Sequence, residues 1–319
     1  MNKTMKHQTT LILLLLTTNI IFGQAFVSIT IDDVPNTAKY QMDNFESKLM
    51  NKLDSLKIPV TVFVNEELLN KGASFDKNYE LLEKWAKRDY VTIGNHTFGH
   101  SRYSDVGFDM FVSDIEKGEM LSKVLVDKYS KKLEYFRFPY NDLGKDSLEH
   151  SRIEQYLASK GYISTPFTIE SSDWMYNAVY ENYRANKEFD KAVEIGRNYI
   201  DKTIEYFEFY DSISTQIYNR KIKHIYLCHD NSINADYLPI LVDYLTKRNY
   251  SFISLQDALT DSVYHQNDRY YKKWGISWLY RWMNSQKEIS SSMKNEPNMD
   301  ILESQFKSIQ ENSNEKAGY

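Results

Sequence analysis

The sequence contains a single cysteine, Cys228, among 319 residues. An internal disulfide is therefore excluded, and the stability of the fold must come from its hydrophobic core. Nothing in the sequence marks this thiol as reactive, so we expect Cys228 to be a small buried residue on a strand.

Positive charge is also in short supply. Lys and Arg number 39 against 44 Asp and Glu, which gives a formal net charge of −5. Proteins that bind nucleic acid usually carry an excess of positive charge in a patch or stripe. The sequence has neither, so nucleic acid is not an expected partner.

Long apolar runs are absent except near the N-terminus. Residues 11–21 are mostly apolar, Lys3 and Lys6 precede them, and small residues follow. This arrangement is typical of a secretory signal peptide, and the run is too short for a comfortable membrane span. We therefore predict a signal peptide over residues 1–24 and an exported mature protein, periplasmic or secreted, without an integral membrane segment. A retained signal anchor is the alternative.

Over residues 25–262, apolar and β-branched runs alternate with helical patterns. The predicted strands are 25–29, 60–64, 90–94, 133–138, 162–167, 222–228 and 251–255, and the predicted helices are 44–58, 79–88, 109–129, 146–160 and 237–248. This alternation implies parallel strands with right-handed crossovers. It predicts an α/β fold, either a barrel or a barrel-like open sheet, with its active site at the carboxyl ends of the strands.

Two segments fall outside that alternation. Residues 176–220 are strongly helical and predict an insertion of one or two helices that would build one side of the active-site cleft. Residues 263–319 are predicted to form a helical extension with a polar, partly ordered tail. Trp274, Trp278 and Trp282 recur there at a spacing of four and should share one helical face. That face would pack against the barrel, with a platform for sugars as the alternative.

Polar residues follow five of the predicted strands, and they are the candidates for a functional site. They are Asp32 and Asp33 after the first strand, His96 and His100 after the third, Arg137 and Tyr140 at the fourth, Asp173 and Trp174 after the fifth, and His229 after the sixth. Because the carboxyl ends of parallel strands meet at one rim, these groups can converge.

The two histidines that follow the third strand are spaced for metal binding. Three residues separate His96 from His100, which places both imidazoles on one side of a helical turn or tight loop. One Asp completes a two-histidine, one-carboxylate set that leaves positions open for water and substrate. The neighbouring Asp would remain free as a base. The sequence therefore predicts a catalytic divalent-metal site.

These groups resemble, in order, the five motifs of the polysaccharide deacetylases, the carbohydrate esterase family with the NodB-homology domain. The motifs are Thr30-Ile31-Asp32-Asp33, His96-Thr97-Phe98-Gly99-His100, Arg137-Phe138-Pro139-Tyr140, Asp173-Trp174 and Leu227-Cys228-His229. The resemblance covers about residues 25–260 and implies a distorted (β/α)7 barrel of parallel strands. It also implies metal-dependent removal of acetyl groups from an N-acetylated or O-acetylated sugar.

The resemblance implies a role for each group on the metal side. Asp33, His96 and His100 would hold the metal, with Zn²⁺ as the first candidate and Co²⁺ or another divalent ion as alternatives. The metal would polarise the acetyl carbonyl and activate a water. Asp32 would be the general base, held ionised and oriented by Arg137.

The same resemblance implies roles for the remaining groups. The backbone N–H of Tyr140 would help to bind the oxyanion. His229 would be the general acid that protonates the leaving atom, and Asp173 would favour its protonated form. Trp174 and Leu227 would wall a small apolar pocket for the acetyl methyl group.

Two positions depart from the pattern that the family usually shows. Val34 stands where Gly is usual, which predicts a different loop and narrower access beside the metal. Asn141 stands where Gly is frequent. Neither departure removes a ligand, acid or base.

The function expected from this resemblance is N-deacetylation of a polysaccharide that contains N-acetylhexosamine. O-deacetylation of an acetylated polysaccharide is one alternative. A barrel that binds carbohydrate without catalysis and a metal hydrolase acting on a non-sugar amide are two others.

Overall fold

The computed structural model describes residues 24–72 and 74–317, so nearly all of the predicted signal peptide lies outside the described residues. Eight strands form one sheet. They are β1 (Ala25–Val34), β2 (Val60–Val64), β3 (Val91–Asn95), β4 (Tyr135–Phe136), β5 (Ile163–Ser164), β6 (Ile169–Glu170), β7 (Lys223–His229) and β8 (Tyr250–Phe252).

The sheet is parallel throughout and curls into a distorted barrel. Its order is β5-β4-β3-β2-β1-β7-β6, with β8 beside the start of β1. The predicted α/β barrel of parallel strands is therefore confirmed. The longest strand, β1, lies at the centre and pairs with β2, β7 and β8.

The predicted fifth strand, 162–167, contains β5, and a further short strand that was not predicted, β6, follows it directly. Strand β5 pairs with β4, and just beyond it the Thr165 N–H donates to the Phe136 carbonyl at 2.8 Å. Strand β6 pairs with β7, and just before it the Thr168 N–H donates to the Ile225 carbonyl at 2.9 Å. One segment thus links the two ends of the sheet.

Helices cover the outside of the sheet. They are α1 (Thr37–Met42), α2 (Lys48–Leu56), α3 (Phe75–Ala86), α4 (Tyr103–Val106), α5 (Phe108–Lys117), α6 (Met120–Lys128), α7 (Ser147–Ser159), α8 (Asp173–Ala185), α9 (Phe189–Tyr218), α10 (Ser232–Lys247), α11 (Leu255–Leu259), α12 (Trp278–Arg281), α13 (Gln286–Met293) and α14 (Asp300–Ala317), with short 3₁₀ turns at Glu66–Asn70, Pro139–Asn141 and Ser262–His265. No helix among the described residues is long and apolar enough to cross a bilayer.

The prediction of one long helix over residues 109–129 is wrong, because the segment is broken at Gly118 into α5 and α6. A Cβ atom at Gly118 would lie 2.2 Å from the carbonyl carbon of Thr97. The break therefore lets the end of α5 approach the backbone of the loop that carries His96 and His100.

The inserted helical segment contains two helices, α8 and α9, in agreement with the one or two that the sequence predicted. Helix α8 begins earlier than expected, at Asp173. Helix α9 is 30 residues long and presents Tyr199, Thr203 and Phe207 to the barrel, all of them buried. Their spacing of four places these side chains on one face.

The C-terminal extension departs from the sequence prediction. Only Trp278 lies in a helix, α12, while Trp282 caps its end and Trp274 precedes it in non-helical chain. The prediction of one shared helical face is therefore wrong. Packing against the fold is confirmed for two of the three, since the Trp278 and Trp282 rings contact Phe167 and Tyr264.

Trp274 is 59% exposed because the chain around it crosses the rim of the barrel instead of coiling. A Cβ atom at Gly275 would lie 2.2 Å from the carbonyl oxygen of Tyr140. Further along, the polar end of the chain holds α13 and α14. These helices bury Ile289 and Leu302 respectively, so this end has more order than its composition suggested.

Candidate metal centre and active site

Both carboxylates of the first motif lie within the end of β1, not after it. The register of β1 against β2 shifts between Ile31 and Val34, and Asp33 takes a left-handed conformation with φ of 58°. Asp32 is buried, whereas the side chain of Asp33 is 40% exposed. The bulge therefore places two adjacent carboxylates in different surroundings.

The prediction that Val34 narrows the access to this site is wrong. Its side chain is fully buried in the hydrophobic core. The positive φ that a glycine would favour is taken up by Asp33. Asn141 has a φ of 49°, a conformation that Asn tolerates better than most residues.

The two histidines lie on a tight loop after β3. The Asn95 side-chain oxygen accepts a hydrogen bond from the Thr97 N–H at 2.7 Å. The Asp114 carboxylate accepts another from the Gly99 N–H at 2.8 Å. These bonds satisfy the loop backbone and hold both imidazoles toward Asp33.

Asp33, His96 and His100 form a compact cluster. The Oδ1 atom of Asp33 lies 3.3 Å from Nε2 of His100 and 3.7 Å from Nε2 of His96. Zinc ligands at bond lengths of about 2.0–2.2 Å lie roughly 3.3–3.6 Å apart in a tetrahedral site. The three side chains therefore fit a divalent metal. Within residues 24–72 and 74–317, they are the group whose ligand atoms lie close enough together to bind one ion.

The protonation of the cluster also suits a metal. The His96 Nδ1 lies 2.8 Å from the carbonyl of Arg137, which can only accept, so Nδ1 carries the hydrogen and Nε2 is free. Burial and the neighbouring His96 lower the pKa of His100 to about 4. Burial alone would raise the pKa of Asp33, but the nearby imidazoles, His100 first, outweigh it and hold this pKa below its usual value.

Arg137 is completely buried and contacts two residues of the first motif. Its Nη1 lies 3.5 Å from Oδ2 of Asp32, and its Nη2 donates to the Thr30 hydroxyl at 3.1 Å. The other oxygen of Asp32, Oδ1, is buried and has no hydrogen-bond partner among the described residues. A buried carboxylate oxygen of this kind is available to accept a proton.

Tyr140 lies directly beside the metal cluster. Its ring centroid is 4.7 Å from that of His100, and the Arg102 guanidinium lies 4.2 Å from the Tyr140 ring. Its backbone has a φ of 58°, a strained conformation of the kind that clusters at functional sites. The use of its N–H as an oxyanion donor stays a prediction.

Asp173 and His229 form a second group on the same rim. The Oδ1 atom of Asp173 lies 2.7 Å from Nδ1 of His229. Because a carboxylate can only accept, Nδ1 carries a hydrogen and Nε2 is left for the cleft. Burial alone would lower the pKa of His229, but the Asp173 carboxylate outweighs it and raises this pKa to about 10. The imidazole is therefore a cation at neutral pH.

Two asparagines that the sequence reasoning missed complete this pair. Nδ2 of Asn231 and Nδ2 of Asn234 donate to Oδ2 of Asp173 at 2.8 and 2.6 Å. The His229 N–H donates to the same oxygen at 2.8 Å. Asn231 also caps α10, a role that its place before the helix could have revealed. No local pattern marks Asn234.

The sequence reasoning also missed Glu170, and it noted Asp230 after the sixth strand without giving it a role. Burial and then the charge of Asp173 raise the pKa of Glu170 to about 7. Burial likewise raises the pKa of Asp230 to about 6, and its carboxylate accepts from the Asn36 N–H at 2.9 Å.

The proposed acetyl pocket is less distinct. Leu227 is buried within β7, and Trp174 is 47% exposed at the start of α8. The Trp174 ring meets that of Phe306 from α14 edge to face, with centroids 5.2 Å apart. The roles of Leu227 and Trp174 in holding an acetyl methyl group stay predictions.

The fold and this rim define a parallel α/β barrel with a candidate two-histidine, one-aspartate metal centre. The family model for polysaccharide deacetylase matches residues 21–159, which include the metal cluster and Arg137 but end before Asp173. The Bacillus subtilis (strain 168) protein YheN, named as a polysaccharide deacetylase, is 22% identical over 237 residues, which cover 74% of this chain and 69% of YheN.

Solved structures are similar at lower identity. A CE4-family pseudoenzyme from Bacillus anthracis is 12% identical with a TM-score of 0.50, over 74% of this chain and 66% of that chain. A polysaccharide deacetylase from Bacillus cereus is 18% identical with a TM-score of 0.46, over 72% of this chain and 91% of that chain. By these comparisons, this chain is similar to polysaccharide deacetylases, through the family model over residues 21–159 and through YheN over 74% of its length.

Proposed function

We propose that this protein is a metal-dependent hydrolase that removes acetyl groups from a polysaccharide, with N-acetylhexosamine units as the preferred substrate. One observation carries the proposal. A buried, unpartnered carboxylate oxygen on Asp32 accompanies the Asp33–His96–His100 cluster, and the neighbouring strand β7 places His229 opposite Asp32 in the sheet register. A base, a metal-binding set and an acid therefore occupy one rim.

The side chains of this chain divide the reaction between them. Asp32 accepts a proton through Oδ1 from the water that attacks the acetyl carbon, and Arg137 keeps the Asp32 carboxylate oriented. His229 gives its Nε2 proton to the nitrogen or oxygen that leaves as its bond to the acetyl carbon breaks. Bound by Asp33, His96 and His100, a divalent ion such as Zn²⁺ supplies a Lewis acid for the acetyl carbonyl.

The presence of every group separates this proposal from a non-catalytic barrel. A pseudoenzyme of this class would lack a base, an acid or a ligand, and all of them are present and close together here. The preference for an N-acetyl group rests on His229, because an amine is a poorer leaving group than an alkoxide and depends more on a proton donor. O-deacetylation remains the alternative substrate class.

The test is acetate release from chitooligosaccharides, peptidoglycan and acetylxylan with added Zn²⁺ or Co²⁺. We expect release by the wild type and its loss in Asp32→Asn and His96→Ala, with metal binding retained in the first variant and lost in the second. His265→Ala, which changes an exposed histidine outside the site, is the matched control. Stoichiometric metal binding without acetate from any acetylated sugar would reject the substrate class and favour a non-sugar amide.

We also propose that the protein is exported, because residues 1–24 have the pattern of a signal peptide. N-terminal sequencing of the protein recovered outside the cytoplasm tests this. A mature chain that starts near residue 25 is the expected result, and an intact N-terminus on membrane-bound protein would favour a retained anchor.

A further inference from the structure

We propose that Tyr199 and Asn234 are positioning residues for the Asp173–His229 pair, and that the inserted helix α9 serves to hold the proton donor of the reaction in place. The inference rests on the proposed function. It assigns to the insertion a task different from the one expected of it, which was to build one side of the cleft.

Asn234 is the central member of the arrangement. Its Nδ2 donates to the Asp173 carboxylate at 2.6 Å and to the His229 carbonyl at 2.9 Å. Its Oδ1 accepts from the Tyr199 hydroxyl at 2.6 Å. One buried amide therefore contacts both members of the pair and the inserted helix.

Tyr199 is in turn the end of a chain of hydroxyl groups. Thr203 on α9 donates to Ser171 at 2.9 Å, Ser171 lies 3.1 Å from the hydroxyl of Tyr226, and Tyr226 lies 3.0 Å from that of Tyr199. Each of these four side chains is at most 1% exposed. The chain joins α9, the segment between β6 and α8, and strand β7.

The direction of this chain follows from the count of hydrogens. Each hydroxyl has one hydrogen to donate. The Tyr199 hydrogen goes to Asn234, so the bond with Tyr226 must use the hydrogen of Tyr226, and the bond between Tyr226 and Ser171 must use that of Ser171. Every donor therefore points toward Asn234.

The orientation of the Asn234 amide agrees with this direction. Its NH₂ group faces the Asp173 carboxylate and the His229 carbonyl, which can only accept, so its Oδ1 faces the Tyr199 hydroxyl. A flip would set the amide oxygen against the carboxylate and leave a buried donor unpaired, which is costly for a buried group. Tyr199 therefore controls Asp173 through Asn234, and Asp173 sets the position and tautomer of His229.

The consequence for the reaction depends on the leaving group. An amine or a sugar hydroxyl needs a proton as its bond to the acetyl carbon breaks, whereas p-nitrophenolate leaves without one. Displacement of His229 should therefore slow the hydrolysis of acetylated sugars and leave the hydrolysis of p-nitrophenyl acetate unchanged. A general loss of structure would slow both.

The experiment compares Tyr199→Phe and Asn234→Ala with Asp211→Asn, a change on the same helix that contacts His224 and Lys221 far from the pair. We measure kcat for an N-acetylated chitooligosaccharide and for p-nitrophenyl acetate. Tyr199→Phe should reduce kcat for the chitooligosaccharide about 10-fold, because general acid catalysis supplies roughly 10²–10⁴-fold in rate and the variant should lose a part of it. It should change kcat for p-nitrophenyl acetate less than about 2-fold. Asp211→Asn should leave the ratio of the two unchanged.

An NMR measurement on the apo protein keeps the inference testable without activity. The Nδ1–H signal of His229, identified by its loss in His229→Ala, should broaden or shift in Tyr199→Phe and not in Asp211→Asn. An unchanged signal, or an equal fall in kcat for both substrates, would overturn the inference. If the wild type releases no acetate while the signal still responds to Tyr199→Phe, the proposed function fails and the positioning role stands.

Discussion

The two halves of the site are built in opposite ways. On the metal side, Asp33 is half exposed and its oxygen faces two imidazoles at 3.3 and 3.7 Å. On the acid side, Asp173 is fully buried and accepts from four N–H groups, the ring and backbone of His229 and the amides of two asparagines. The Asp33 carboxylate leaves bonding capacity unused, and the Asp173 carboxylate leaves none.

This difference has a physical reason. A metal-binding set must keep lone pairs free and must admit an ion, so its atoms stay short of partners. A proton donor must keep one orientation, because transfer requires hydrogen-bond geometry. Burial with complete hydrogen bonding provides that orientation, and it also stabilises the fold. The halves should therefore respond differently to metal and to mutation.

Metal removal should give the largest contrast between the halves. At Zn²⁺ about 1,000-fold above its dissociation constant, binding should stabilise the folded protein by about 4 kcal/mol. Thermal unfolding with and without chelator measures this. The stabilisation should disappear in His96→Ala and survive in Asp173→Asn. Equal loss in both variants would show that the halves are not independent.

Removal of the buried carboxylate should give the next largest effect. Asp173→Ala leaves the amides of Asn231 and Asn234 and the His229 N–H without an acceptor, and should lower the free energy of unfolding by about 3 kcal/mol. Asp33→Asn in the apo protein should change it by less than about 0.5 kcal/mol. Urea denaturation checks both values, and similar losses in the two variants would contradict the contrast.

The far end of α9 should contribute less, and in a pH-dependent way. Burial alone would raise the pKa of Asp211, but its hydrogen bond with His224 outweighs it and lowers this pKa to about 2. A pKa below its unfolded value means stabilisation that is present above about pH 4 and lost as the pH falls toward 2. Asp211→Asn should cost about 2 kcal/mol at pH 7, and denaturation at several pH values should show the difference shrinking over that window.

The smallest effect is expected at the exposed edge of the metal half. Trp274 and Tyr140 are both about half exposed and are linked by the close approach of Gly275 to Tyr140. Trp274→Ala should leave stability within about 0.5 kcal/mol. If the Trp274 ring stacks on a sugar, the substitution should raise KM a few-fold for long substrates and not for a disaccharide. An unchanged KM for polymer would exclude Trp274 from substrate binding.

Much of the fold could be predicted because its signals are local. Val60–Val64 is a β-branched run, and its predicted bounds match β2. The helix over residues 109–129 was misjudged because the break at Gly118 depends on the backbone of Thr97, which lies far away in sequence. The prediction of a tryptophan helix was wrong for the same reason, because the chain at Gly275 packs closely against the backbone of Tyr140.

Local sequence accounts for the alternation of strands and helices, the places where polar residues follow strands, and the residue types available for metal, base and acid. These properties depend on short-range periodicity and on side-chain chemistry. The folded arrangement was needed to show that Asn231 and Asn234 face Asp173, which oxygen of Asp32 is left without a partner, and which way the hydroxyl chain runs. Those outcomes depend on contacts between residues distant in the chain, and no local pattern encodes them.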